Sequence, residues 1–180
     1  MSGRSVRIVL LGDSHLDYAD DHLALLGDRV LNAAVGGASV DDLPGQARGL
    51  DLGPDDVVVL SVGTNDAAPW KQVPIAEFGR RASEWLRALP VGGCVVMTTP
   101  GVDEARLVGF GDRTNQVMRD YAGALCAAAA EVAAEVVDAQ AVLAPLGSRA
   151  YVDDGVHLTD DAYRLLLPVV AEAVGRARSV

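Results

Sequence analysis

Cysteine, histidine and basic charge are all scarce in this chain, and each scarcity excludes a class of chemistry. There are two cysteines among 180 residues. Cys94 opens the apolar run Cys94–Met97 and Cys126 sits in an Ala-rich stretch before Glu131. No zinc-ligand spacing can be built from them, and both read as small buried hydrophobes, with a disulfide or a reactive thiol as the lesser alternative. Basic residues number 15 against 25 acidic ones, for a net charge of −10. An acidic surface repels phosphate backbones and anionic lipid, so neither nucleic acid nor a membrane is an expected partner. No segment approaches the roughly 18 consecutive apolar residues that a bilayer span requires. The stretch from Met1 to Leu11 carries two arginines but only the short apolar run Ile8–Leu11, less than the about 7–15 residues of a signal-peptide core. The expectation is a cytoplasmic protein. Half of the residues are apolar and 22% are charged, the balance of a globular chain rather than a disordered one. The length fits a single domain over residues 1–180.

What is present is an alternation. Short β-branched runs recur at Val6–Leu11, Arg29–Asn32, Val57–Val62, Cys94–Thr99 and Val136–Asp138. Between most of them lie stretches of helical period: Pro74–Leu89, Arg113–Val132 and, at the end, Thr159–Ala177. In the last, Ala162, Leu165, Leu166, Val169, Val170 and Ala173 form the predicted buried stripe, Thr159 is the expected N-cap and Pro168 is expected to kink the helix. Strands alternating with helices imply right-handed crossovers and a parallel sheet covered on both faces. The predicted fold is α/β, a three-layer αβα sandwich with a five-stranded parallel sheet. Ligands of such sheets bind outside the carboxyl ends of the strands, which directs attention to five loops.

Each of those loops is ambiguous by itself. Gly12–Asp13–Ser14–His15 follows the first strand, as ordinary turn chemistry or as an exposed hydroxyl at a helix start. The glycines of Asn32–Ala38 either let the chain turn or bring a backbone N–H to a ligand. Gly63–Thr64–Asn65–Asp66 is a cap, or it offers the Asn65 amide to a ligand oxygen. Late in the chain, His157 follows Asp154 by three residues across a Gly-containing turn. A histidine is the natural base at neutral pH and needs a partner to fix its tautomer, which Asp154 can reach. Of the other two histidines, His22 falls in a predicted surface helix and His15 directly follows Ser14, a poor position from which to serve that hydroxyl. Together the loops supply a nucleophile, two oxyanion donors and a His–Asp pair, in the chain order Ser, Asp, His that some triads adopt.

On these residues the sequence resembles the SGNH (GDSL-type) hydrolase family. The match lies in Gly12–Asp13–Ser14, in Gly37 of the Asn32-to-Gly37 block, in Gly63–Thr64–Asn65–Asp66, and in Asp154 with His157. Two positions depart: His15 stands where the family name has Leu, and Ala34 where many members have Gly. The resemblance implies the flavodoxin-like SGNH-hydrolase fold and a serine esterase without metal or cofactor. In it Ser14 attacks an ester carbonyl, His157 takes the proton, Asp154 orients His157, and the Ser14 and Gly37 N–H groups with the Asn65 side chain meet the oxyanion. The expected substrates are small esters, with short acyl chains or O-acetyl groups. Asp13 and Trp70 are candidate substrate contacts. The loops Ala67–Val73 and Gly101–Asp112 would form an open rim carrying Trp70, Lys71, Arg106 and Phe110, with Arg113 beside it.

Rival readings are an acyltransferase or a carbohydrate-binding protein on the same scaffold, a metallophosphoesterase and a nucleotide-binding module. The metallophosphoesterase would use Asp13, Asp66 and Asp154 as ligands, but three histidines fall short of such a site. The nucleotide-binding reading lacks both a Gly-x-Gly-x-x-Gly and a Walker A sequence. Helix periodicity does not distinguish an oligomer face from core, so oligomeric state stays open.

Overall fold

The computed structural model describes residues 6–109 and 112–178. Five strands, β1 (Arg7–Gly12), β2 (Val30–Asn32), β3 (Asp56–Ser61), β4 (Gly93–Met97) and β5 (Glu135–Val137), form one sheet in the order β2-β1-β3-β4-β5. All four pairings are parallel. The order reverses direction beside β1, and in open α/β sheets such a switch point is where a crevice opens at the carboxyl ends.

Side chains alternate across the strands, so each strand feeds two cores. Ile8, Leu10, Val57, Val59, Val95 and Met97 pack under the C-terminal helix α6 (Asp160–Ala177). Val9, Leu11, Val58, Leu60 and Val96 pack under α3 (Ile75–Ala88) and α4 (Asn115–Glu131), against Phe78, Met118, Tyr121 and Leu125. Each fully buried large side chain of this kind contributes about 1.5–3 kcal/mol. No described helix is long and apolar enough to cross a membrane.

The helix boundaries follow caps. Thr114 accepts from the Val117 N–H, so α4 starts two residues after the predicted Arg113. Thr159 accepts from the Ala162 N–H, as its expected N-cap role requires. The helix it begins runs continuously from Asp160 to Ala177 with Pro168 inside it. Pro168 and Arg164 are both exposed, so water can take the hydrogen bond that Pro168 denies to the Arg164 carbonyl. The buried stripe of α6 is rotated from the predicted one: Tyr163, Leu167, Val174 and Ala177 join it, while Leu165 is exposed. The edge strand β5 begins one residue earlier than predicted. Glu135 pairs with Val95, and its carboxylate is held by Arg176 Nε at 2.7 Å. Cys94 and Cys126 are free and each only partly buried. Burial pushes the Cys94 thiol up to about 12 and raises that of Cys126 as well, which keeps both unreactive.

The first two crossovers use short elements that periodicity does not reveal. β1 leads through α1 (Ser14–Asp17) and a 3₁₀ turn at Asp20–Leu25 to β2. β2 leads through a 3₁₀ turn at Val40–Asp42 and α2 (Leu43–Ala47) to β3. A further short helix, α5 (Ala139–Leu143), follows β5.

At the end of β1, Gly12 has φ of +137°, and a Cβ there would sit 1.9 Å from the Ser61 carbonyl oxygen on β3. Replacing Gly12 by Ala should therefore separate β1 from β3. A loss of more than about 4 kcal/mol, beyond ordinary point substitutions, should appear in urea denaturation, and a fully folded, wild-type-stable Gly12→Ala would refute that close packing.

Candidate active site

The turn after β1 places Ser14 at the start of α1. Asp13 has extended backbone and caps the helix by accepting from the His15 N–H at 3.1 Å. Gln46, on α2, grips the Gly12 peptide from the side: its amide donates to the Gly12 carbonyl at 2.8 Å and accepts from the Gly12 N–H at 2.7 Å. The sequence offers no signal for Gln46, because that contact depends on where the α2 crossover lands.

Ser14 and His157 meet from opposite ends of the chain. His157 Nε2 lies 3.0 Å from Ser14 Oγ, and His157 Nδ1 lies 2.5 Å from Asp154 Oδ2. The other oxygen of Asp154 accepts from the N–H groups of Val156 and His157 at 2.8 and 2.9 Å. Partial burial works against the charge on Asp154. The hydrogen bonds from the His157 ring and from the His157 and Val156 backbone outweigh it and hold the carboxyl at about 2. Asp154 is thus a carboxylate at any physiological pH, the state needed to orient an imidazole with Nε2 free to accept a proton.

Opposite Ser14, Gly37 sits in a turn with φ of +80°, a conformation that suits glycine. Its carbonyl accepts from Lys71 Nζ at 2.5 Å. Among the described residues, neither the Gly37 N–H nor the Ser14 N–H has a hydrogen-bond acceptor. Asn65 Nδ2 donates to the Ala38 carbonyl at 2.9 Å, which leaves its second amide hydrogen for a ligand. Ser14, Gly37, Asn65 and His157 all line one open cavity of about 410 Å³, together with Tyr18, Thr64, Trp70, Leu107, Val108, Arg113 and Asp154. Polar donors left unsatisfied at a cavity wall are the groups that stabilise an incoming oxyanion.

Several predicted residues have other places. Asp13, expected to contact substrate, is fully buried: its carboxylate caps α1 and faces His15, so it presents no surface to a ligand. Arg106 does not lie on the cavity. Its guanidinium donates to the Tyr151 and Val152 carbonyls at 2.8 and 3.2 Å and braces the chain leading to Asp154. Lys71 holds Gly37, and Arg113 is buried behind Trp70, with its guanidinium 5.1 Å from the indole ring and one N–H on the Thr64 carbonyl. Trp70 itself is 65% exposed at the cavity mouth. Phe110 lies outside the described residues. Ala34 is buried against the core and off the cavity. His22, predicted on a surface helix, stacks on Tyr163 in the 3₁₀ turn and reaches Asp160. Tyr18 is a site residue that the motifs do not point to: its ring lies 4.9 Å from that of His157. The signal for it is spacing, since position i+4 of a helix starting at Ser14 shares the face of the serine.

Among the described residues, no group of three or more His, Cys, Asp or Glu side chains is placed to hold a metal ion. Asp66 has a different role. It is fully buried and accepts from the Val40 N–H at 2.9 Å, while its other oxygen lacks a partner among the described residues. Burial first, and the nearby Asp13 carboxylate, push its carboxyl up to about 6.

A parallel α/β sandwich with a serine, a histidine and a carboxylate in sequence at its carboxyl edge has the architecture of a serine hydrolase. The sequence profile of the GDSL-like lipase/acylhydrolase family matches residues 3–165. The chain belongs to that family and is an esterase. No curated protein matches it. Solved structures do. A lipase/acylhydrolase from Enterococcus faecalis superposes with a TM-score of 0.79 at 20% identity, over 96% of this chain and 97% of that one. Axe2, an acetylxylan esterase from Geobacillus stearothermophilus, gives 0.73 at 21% identity, over 98% and 95%. LAE5, an alpha/beta hydrolase from the Lake Arreo metagenome, gives 0.73 at 20% identity, over 97% and 95%. At these identities the likeness concerns the fold.

The Asp66 carboxyl gives a signed expectation. Its pKa is about 6 in the folded protein against an ordinary 3.8, so the native state binds the extra proton. Stability therefore falls as pH rises from about 4 to 6 and then levels off. Asp66→Asn removes that dependence. Relative to wild type, its unfolding free energy should gain about 2–3 kcal/mol between pH 4 and pH 7. A pH-independent difference in denaturation midpoints between the two proteins would contradict the raised carboxyl.

Proposed function

We propose that this protein cleaves carboxylic esters of small substrates, with short acyl chains or O-acetyl groups, through an acyl-enzyme on Ser14. The observation that carries the reading is the unbroken run Ser14 Oγ, His157, Asp154, at 3.0 and 2.5 Å, beside three free donors on one cavity wall. Ser14 Oγ attacks the ester carbonyl carbon as His157 Nε2 takes its proton. The carbonyl oxygen gains the negative charge, which the Ser14 and Gly37 N–H groups and the Asn65 amide meet. Collapse of the tetrahedral species expels the alcohol, which leaves with the proton from His157. Water, deprotonated by the same imidazole, then releases the acid and restores Ser14. Asp154, a firm carboxylate, stabilises the imidazolium in both halves.

Size and openness support small substrates. The cavity of about 410 Å³ lies near the small end of the range for ligand pockets, roughly 300–1,000 Å³. Its mouth is edged by the exposed Trp70 and Val108, with no described helix folded over it. The structural likeness to an acetylxylan esterase is in keeping with an O-acetyl leaving acid.

A fluorophosphonate probe and p-nitrophenyl acetate turnover test this directly. Wild-type protein should be labelled and active, and Ser14→Ala should lose both. A folded wild-type protein that neither labels nor turns over the ester would overturn the reading. Asn65→Ala removes one oxyanion donor and should lower kcat by about 10²–10³-fold, with KM changed far less. An unaltered kcat would remove Asn65 from its assigned role.

A further inference from the structure

Beneath Ser14 lies a histidine that the reaction does not use. His15 and Asp13 have no solvent-exposed side-chain surface. His15 Nδ1 lies 3.2 Å from Asp13 Oδ1, and His15 Nε2 lies 3.1 Å from the carbonyl oxygen of Val156. A carboxylate and a backbone carbonyl are both acceptors, whereas a neutral imidazole has one N–H to give. Both contacts are hydrogen bonds only when both ring nitrogens are protonated, or when Asp13 itself carries the second proton. The Asp13 oxygen concerned also accepts from the His15 backbone N–H at 3.1 Å, so one oxygen takes both contacts from His15.

We propose that the Asp13–His15 ion pair is a positioning device for the catalytic base. The His15 imidazolium donates to Asp13 on one side and to the Val156 carbonyl on the other. Val156 immediately precedes His157 and lies within the Asp154 turn, so this bond fastens the loop carrying the base to the turn carrying the nucleophile. The leucine that gives the family its name could make neither bond. The proposal rests on the esterase reading for what is being positioned, but not for the state of His15.

The surroundings of the ring are mixed. Burial and the Arg113 guanidinium oppose its charge. The Asp13 carboxylate and the Val156 carbonyl outweigh them and raise its pKa above the ordinary histidine value. Thr64 Oγ1 stands 3.4 Å from Nδ1 and can share that proton. The His157 ring lies 6.3 Å away, centroid to centroid, so a charge on His15 also bears on the basicity of His157. Asp66 and Tyr163 face the Asp13 side; burial first, and then the Asp13 carboxylate, raises the pKa of each. On this account deprotonation of His15, on the alkaline side of the ordinary histidine value, breaks one of its two bonds, and kcat falls with it.

The first test is long-range ¹H–¹⁵N correlation spectroscopy of the ring nitrogens in the resting wild-type protein, with the His15 signals assigned by their loss in His15→Leu. The expected result is an imidazolium pattern that persists above the pH at which an ordinary histidine loses its proton. A single ring proton at neutral pH, in either tautomer, overturns the proposal. This measurement needs no turnover, so failure of the esterase reading and failure of this one are separable. The second test is kinetic. Asp13→Asn/His15→Leu, which leaves no buried carboxylate unpaired, should lower kcat on p-nitrophenyl acetate by about 10–100-fold, the scale of a small misplacement. KM should change little, and the alkaline fall should disappear. Asp13→Asn/His15→Gln, which keeps a donor for the Val156 carbonyl, should recover part of kcat without the alkaline fall. Wild-type kcat and pH profile in the leucine variant would overturn the proposal.

Discussion

Everything at this site hangs from the close approach of β1 to β3 at Gly12. The residue has no Cβ because the Ser61 carbonyl fills that space, and the following Asp13 N–H donates to the same carbonyl at 3.0 Å. The chain therefore leaves the sheet in one direction only. Gln46 then holds both polar groups of the Gly12 peptide, so the turn is satisfied without water. The nucleophilic role proposed for Ser14 needs this rigidity, since reacting groups lose rate steeply with sub-ångström displacement. Fixing Ser14 through the backbone leaves its hydroxyl free to face the imidazole.

The proposed base, His157, is built differently. Asp154 and His157 belong to one tight loop, and the carboxylate binds both the ring and the backbone N–H of His157. The pair is thus pre-assembled before it meets Ser14. What must be solved by tertiary structure is the docking of that loop. Several contacts contribute to it. They are the isolated antiparallel bridge between Tyr151 and Leu158, the Arg106 guanidinium on the Tyr151 and Val152 carbonyls, and the Asp103 N–H on the Gly155 carbonyl at 2.7 Å. Most of these bind the loop to segments flanking the cavity. The His15 contact with the Val156 carbonyl ties it straight to the turn that carries Ser14.

The layered fold was legible because it rests on repetition. Runs such as Val57–Leu60 and the helical spacing of Phe78, Ala82 and Leu86 repeat a period long enough to read. The four blocks at the strand ends were legible for the same reason in another form, since their order matched a known arrangement. What stayed hidden was either too short to have a period or had no local cause. α1 and α2 span four and five residues, barely one turn each. Gln46, Tyr18 and Arg106 owe their roles to partners that only the folded chain brings near. Asp13 misled for a physical reason. An acid beside a nucleophile suggests substrate contact, yet the first turn of a helix also needs an acceptor for its free N–H groups, and here that need, together with His15, takes the whole carboxylate inward.

The cost of such a site falls on buried charge. Asp13 and Asp66 lie in one polar layer under the cavity, and each keeps an oxygen unpartnered among the described residues. Burying a carboxylate is unfavourable unless it is paired or protonated. The two acids meet this constraint in opposite ways. Asp13 faces the His15 imidazole, whereas Asp66 is met by backbone N–H groups, and burial first, with the Asp13 charge adding to it, shifts its carboxyl toward the neutral form. That division explains why the two are not interchangeable despite their similar burial. Asp66 orders the strand-end loops of Val40 and Val73 through its side-chain and backbone oxygens, a role that survives protonation. Asp13 instead faces the His15 ring. A chain carrying leucine after its serine would lack the imidazole that meets the buried Asp13 carboxyl here, and a buried polar group without a partner is costly.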